Sequence, residues 1–154
     1  MNLRIPGPTP VPPDVLTATG HPMVNHRGPE FAKVLGSVSD GLKWVFGTQS
    51  EVFCLTASGT GGLEAAVVNV LSPGDQVLSI SIGAFGDRFA NIAKTYGAVV
   101  ESYSVEWGHA ADPEEGESRL ALNPKISAIL VTHNETSTGV TNPLQKIAEI
   151  ARAH

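Results

Sequence analysis

Cysteine is almost missing from this sequence. Cys54 is the only one among 154 residues, which excludes an internal disulfide framework and a zinc site built from several cysteines. It sits in the apolar run Val52-Phe53-Cys54-Leu55 and reads as a small buried core residue. Positive charge is scarce too. The formal net charge is −5 and lysines and arginines form no run. A nucleic-acid partner is therefore disfavoured, since phosphate backbones are bound by clustered cations. Nowhere do about 18 apolar residues follow one another, so no membrane-spanning helix is expected. The opening MNLRIPGPTPVPP lacks an apolar core long enough for a signal peptide. These absences point to a cytoplasmic protein without a membrane partner. His133 has no second histidine at helical or strand spacing, so no metal site is read there.

What is present is a regular alternation. Residues 3–13 are proline-rich and favour an extended arm. Residues 30–46 carry Phe31, Val34, Leu35, Val38, Leu42 and Val45 at helical spacing, with Gly47 as the stop. Strands are expected over 51–56, 76–82, 98–105 and 126–132. Helices are expected over 61–71, 87–96 and 112–122, with a turn at Ser72-Pro73-Gly74-Asp75. Asn142-Pro143 reads as an N-cap and first helical residue for a last helix carrying Leu144, Ile147, Ala148 and Ala151 on one face. Strands alternating with helices imply an α/β fold with a mainly parallel sheet and helices on both faces. The last helix runs to His154 with no following strand, so the chain reads as the first part of a larger, truncated unit.

Chemistry concentrates after three strands. The stretch Thr56-Ala57-Ser58-Gly59-Thr60-Gly61-Gly62 leads into a helix. Glycines let backbone N–H groups approach an anion, and the helix start offers unpaired N–H groups with partial positive charge. A phosphate suits this best; a tight turn without ligand is the alternative. The dinucleotide fingerprint fails, because its third glycine position is Glu64, and the triphosphate motif fails for want of a lysine. The second segment, Ser81 to Arg88, presents Phe85 between small residues, suited to stacking on a planar ligand or to core packing. The third, Thr132-His133-Asn134-Glu135-Thr136-Ser137-Thr138-Gly139-Val140, is dense in polar groups. Residues 106–117, with Trp107 and His109, read as a solvated connection.

Taken in order, "ASGTGGLEAA", "GAFGDR" and "THNETSTGV", with "PGPTPVPP" and "NHRGPEF" upstream, resemble the class V aminotransferases. Among these, the alanine–glyoxylate and serine–glyoxylate group is the nearest likeness. The resemblance covers the whole chain. It implies the N-terminal part of a fold type I large domain, with residues 1–28 as an arm and 29–154 as the first part of the cofactor-binding domain. It also implies pyridoxal 5′-phosphate (PLP) as cofactor. Ser58, Gly59 and Thr60 would hold its phosphate, Phe85 would stack on its ring, and Thr136 would contact the phenolic oxygen side. Asn134 and Glu135 would shape the nearby loop, and the arm at Pro6-Gly7-Pro8 would pass near the substrate entrance. The family often has tryptophan or tyrosine where Phe85 stands. The implied reaction is transamination between serine or alanine and glyoxylate or a similar 2-oxo acid. The family's Schiff-base lysine, pyridine-nitrogen aspartate and substrate-binding arginine have no counterpart here: Lys33, Lys43, Lys94, Lys125 and Lys146 all fall on predicted helices or a strand start. The expectation is therefore a chain inactive alone, completed by a homodimer partner or a companion chain. Two alternatives stay open: a non-catalytic phosphate- or nucleotide-binding α/β module, and a lyase or desulfurase-like enzyme of the same fold, though desulfurases typically carry histidine at the Phe85 position.

Overall fold

In the computed structural model, which describes residues 3–154, the chain divides into two units, Met1–Thr56 and Ala57–His154. The first holds α1 (Pro13–Thr19) and α2 (Pro29–Phe46). Both open on a proline, whose missing N–H would have no helical partner at that position. Residues 3–12 are free of helix, as their prolines require, while α1 follows them without an apolar stripe to announce it. Gly47 closes α2 in the left-handed conformation, φ 59°, where a glycine costs least. The apolar stripe of α2 is helical as its spacing requires, yet no residue of α2 is buried.

Two expectations fail in this unit. Residues 51–55 form no strand, and no strand among the described residues pairs with them. Cys54 is correspondingly exposed and not a core residue. A buried strand needs a ladder on at least one side to satisfy its N–H and C=O groups, and here none is supplied.

The second unit runs α3 (Gly59–Val70), β1 (Gln76–Ser81), α4 (Ala84–Thr95), β2 (Val99–Ser104), α5 (Pro113–Leu122), β3 (Ile126–Val131), a hairpin of β4 (Asn134–Glu135) and β5 (Val140–Thr141), and α6 (Leu144–Ala153). The sheet order is β2-β1-β3 and both pairings are parallel. The central β1 is buried from Val77 to Ser81, which is why its sequence lacks a face of charged residues. On one side Val77 packs with Val67 of α3, Ala93 of α4 and Leu130 of β3. On the other, Leu78 and Ile80 pack with Tyr103, Leu120 of α5 and Ile147 and Ile150 of α6. Helices thus cover both faces, as the alternation implied.

The turn before β1 forms as expected: Ser72 N–H donates to Asp75 Oδ2 at 2.7 Å, and Gly74 takes φ 93°. Asp112 caps α5 by accepting from Glu114 N–H at 2.9 Å. Asn142 does not cap α6. Its Oδ1 accepts from Ala111 N–H at 2.9 Å and its Nδ2 donates to the Thr132 carbonyl at 2.8 Å, so the amide is engaged inside the fold. The helix starts at Leu144, with Pro143 outside it at ψ 65°.

Two glycines should respond in opposite ways to alanine. At Gly86 an added Cβ would lie 2.8 Å from Ser81 Cα and 2.7 Å from its Oγ, against the end of β1. Gly86→Ala is expected to destabilise by about 1–3 kcal/mol. Gly36, inside α2, faces open space, and Gly36→Ala is expected to stabilise by about 0.5–1 kcal/mol. Urea denaturation of both variants checks the pair.

Candidate functional site

The first part of the site is the start of α3. The helix begins at Gly59, two residues earlier than its apolar spacing indicates, with Ser58 at the N-cap in extended conformation. The Ser58 side chain makes no capping bond. The first internal bond runs from Gly62 N–H to the Ser58 carbonyl at 3.2 Å. Among the described residues, none accepts from the N–H groups of Gly59, Thr60 or Gly61. An added Cβ at Gly59 would meet nothing within 4 Å. At Gly61 it would lie 2.8 Å from Ala57 Cβ, so that glycine serves the turn itself. Unpaired donors and the helix dipole make this end favourable to an anion.

The second part is the start of α4. Phe85 lies not on a loop, as its small neighbours suggest, but in the first helical turn, half-buried. The helix starts early because Glu135, from the hairpin after β3, satisfies its first N–H groups. Glu135 Oε2 accepts from Phe85 N–H and Gly86 N–H, each at 3.1 Å. Its Oε1 accepts from Ser137 N–H at 3.1 Å and from the Ser137 hydroxyl at 2.7 Å. Ser137 Oγ in turn accepts from Ala84 N–H at 3.0 Å. Glu135 is 1% exposed. Burial pushes its pKa upward, but the donors from Ser137, Gly86 and Phe85 outweigh that and leave it below the ordinary carboxylate range. A Cβ at Gly83 would fall 2.5 Å from Ser137 Oγ and 2.6 Å from Glu135 Cγ, so this contact requires glycine there. On the β1 side, the Ser81 hydroxyl donates to Asp87 Oδ1 at 2.6 Å.

Arg88 joins the two helix starts. Its Nη1 donates to Thr60 Oγ1 at 3.0 Å, and its guanidinium lies over the Phe85 ring, 5.0 Å from the centroid. Among the described residues no carboxylate forms an ion pair with it. Thr136 is exposed at the first position of the hairpin turn, between Glu135 and Ser137. The bonds therefore link Thr60 to Phe85 through Arg88, and Phe85 to the turn of Thr136 through Glu135. Reading the sequence does not single out Arg88. The available signal is its spacing: three positions past Phe85 on one helix, it shares a face with that ring. A separate groove of about 610 Å³ runs along α4 and is lined by Glu64, Arg88, Ile92, Tyr96 and Trp107. It includes neither Gly59 nor Thr136.

A family profile described as "Aminotransferase class-V" matches residues 4–154. The chain belongs to the class-V aminotransferase family. This class-V chain is 43% identical to the "Soluble hydrogenase 42 kDa subunit" of Anabaena cylindrica, over 99% of its own length and 40% of that protein. It is 38% identical to the L-aspartate–glyoxylate aminotransferase of Paracoccus denitrificans, over 97% of its length and 38% of that enzyme. The crystal structure of an alanine–glyoxylate aminotransferase from Nostoc sp. matches with a TM-score of 0.91 at 33% identity, covering 97% of this chain and 40% of that one. The chain thus spans about 40% of the length of the relatives it matches. The class-V fold here is the expected N-terminal part of a fold type I large domain, parallel sheet with helices on both faces.

The acid limb of stability should report on Glu135. Its folded pKa lies below the unfolded value of about 4.3. The ionised group therefore contributes stability that is complete above that value and is lost as pH falls through the lowered folded pKa. The melting-temperature difference between wild type and Glu135→Gln is expected to be largest near neutrality and to shrink as the medium is acidified below about pH 4. A difference that stays constant across that range would show that the carboxylate form is not the one holding α4.

Proposed function

We propose that this chain supplies the cofactor cradle of a PLP-dependent aminotransferase. The complete enzyme would move an amino group between a small amino acid, serine or alanine, and glyoxylate or a similar 2-oxo acid. The observation that carries this reading is the start of α3, where among the described residues the three N–H groups of Gly59, Thr60 and Gly61 have no acceptor and an added Cβ at Gly59 meets nothing within 4 Å. These residues fit a phosphate: donors, a hydroxyl on Thr60 and the charge of Arg88 converge from α3 and α4. Glyoxylate-linked transamination in the Paracoccus and Nostoc relatives supports the substrate class.

In this reading Ser58, Gly59 and Thr60 hold the phosphate, Phe85 stacks on the pyridine ring, and Thr136 contacts the phenolic oxygen side. Residues 29–154 form the first part of the PLP-binding domain, behind an arm of residues 1–28. PLP, when bound, supplies the electron sink for amino-group transfer. Within the second unit, Lys94 is in the last turn of α4, Lys125 precedes β3 and Lys146 is on α6. None lies on the segments that follow β1 and β3. The lysine that condenses with the cofactor is assigned to the part of the relatives' length that this chain does not span. In the complete enzyme that part, on the same or a companion chain, would bring it, within a homodimer in the cytoplasm. No helix among the described residues is long and apolar enough to cross a membrane.

Gly59→Val tests the cradle. Open space at Gly59 lets the variant fold, while the branched side chain stands before the unpaired donors. PLP affinity, read by absorbance titration with inorganic phosphate as competitor, is expected to weaken by about tenfold or more with an unchanged melting temperature of the cofactor-free protein. Unchanged affinity would remove the phosphate assignment.

A further inference from the structure

We propose that Glu135 is the positioning residue of the cofactor site: its buried carboxylate locks the first turn of α4, which carries Phe85, to the hairpin turn that carries Thr136. The assignment rests on the PLP reading above and goes beyond it, since Glu135 itself touches neither ring nor phosphate in that reading. Four donors converge on its two oxygens. With Ser137 Oγ taking Ala84 N–H, the three successive N–H groups of Ala84, Phe85 and Gly86 are all held by one hairpin. An interior charge is costly unless fully hydrogen-bonded. Here the donors and the N-terminal dipole of α4 balance it without a cation.

The two helix starts are treated oppositely. The N–H groups at the start of α3 are open, whereas those at the start of α4 are filled by an acid of the protein's own. One helix is left to take an external anion; the other is closed to it and fixed in orientation. The glycine at position 83 belongs to the same device, because any Cβ there would overlap Glu135 and Ser137. The chemistry demands an acid and not its amide. Glutamine could still accept from Phe85 and Gly86 through its oxygen, but its NH₂ would then face the Ser137 N–H, donor against donor.

The test compares wild type with Glu135→Gln, as the purified protein with and without PLP. Without cofactor, amide hydrogen exchange at Phe85 and Gly86 is expected to quicken by about tenfold in the variant, while Ala90 and Ala93 further along α4 stay protected. With cofactor, the visible circular dichroism of bound PLP should fall and its dissociation quicken. Unchanged exchange at Phe85 and Gly86 would overturn the proposal. Faster exchange with unchanged dichroism and retention would overturn it too, leaving Glu135 a purely structural residue. If Glu135→Gln fails to fold, Ser137→Ala reads the same link more mildly, by removing one donor to Oε1 and the acceptor for Ala84. Absence of PLP binding by wild type would overturn the cofactor reading and this role with it, and is told apart by the wild-type titration alone.

Discussion

Parallel pairing of β1 with both its neighbours is the constraint on which the second unit depends. Parallel strands must end at the same edge, and each return crossing must be made by a helix packed on a face. β1 is buried on both sides, by α3 and α4 residues on one and by α5 and α6 residues on the other. Its register with β2 and β3 then sets where Ser81, Ser104 and Val131 end. The segments that leave β1 and β3 are delivered side by side, and this adjacency lets a carboxylate from the second reach the helix that follows the first. Without two-sided burial of Val77 to Ser81, the polar contacts at the edge would have no fixed frame.

At that edge the protein manages polar groups in a low-dielectric setting by matching donors to acceptors almost one for one. Glu135 is nearly inaccessible to water and every one of its described side-chain contacts is a donor. Arg88 is handled differently. It remains at the surface, shares one N–H with Thr60 and rests on the Phe85 ring, so its charge is neither neutralised nor buried. A negative group is thus held inside and a positive group left outside, both against the first turns of α4.

Much of this is legible in the sequence. The helix over 30–46, its stop at Gly47, the three strands and the helices between them follow from spacing and turn chemistry, because in an α/β layer the periodicity is imposed by burial. The failures have specific causes. Residues 52–55 are apolar and include the strand formers Val52 and Phe53, but strand formation needs a partner ladder, and propensity cannot provide one. Asn142-Pro143 has the composition of a helix start, yet the asparagine's hydrogen bonds go to Ala111 and Thr132, distant in sequence. Nothing local signals the true start of α4; its first N–H groups are satisfied by Glu135, about fifty positions onward. In the site, Gly59 and Phe85 emerge from local chemistry and resemblance, whereas the link through Arg88 depends on a fold-level juxtaposition of α3 and α4. The hairpin of β4 and β5 reads as a plain loop, since two-residue strands leave no alternation to detect.

Asn142 carries a further consequence, one of chemical ageing. An asparagine loses ammonia spontaneously when the N–H of the next residue attacks its side-chain carbonyl and closes a five-membered ring. Proline follows here, and proline has no N–H to make that attack. The side-chain carbonyl is also occupied by the Ala111 N–H, and the residue is 2% exposed. The amide that ties the approach to α5 to the end of β3 is thus shielded from the ring-closing loss that would replace a donor by a charge inside the fold.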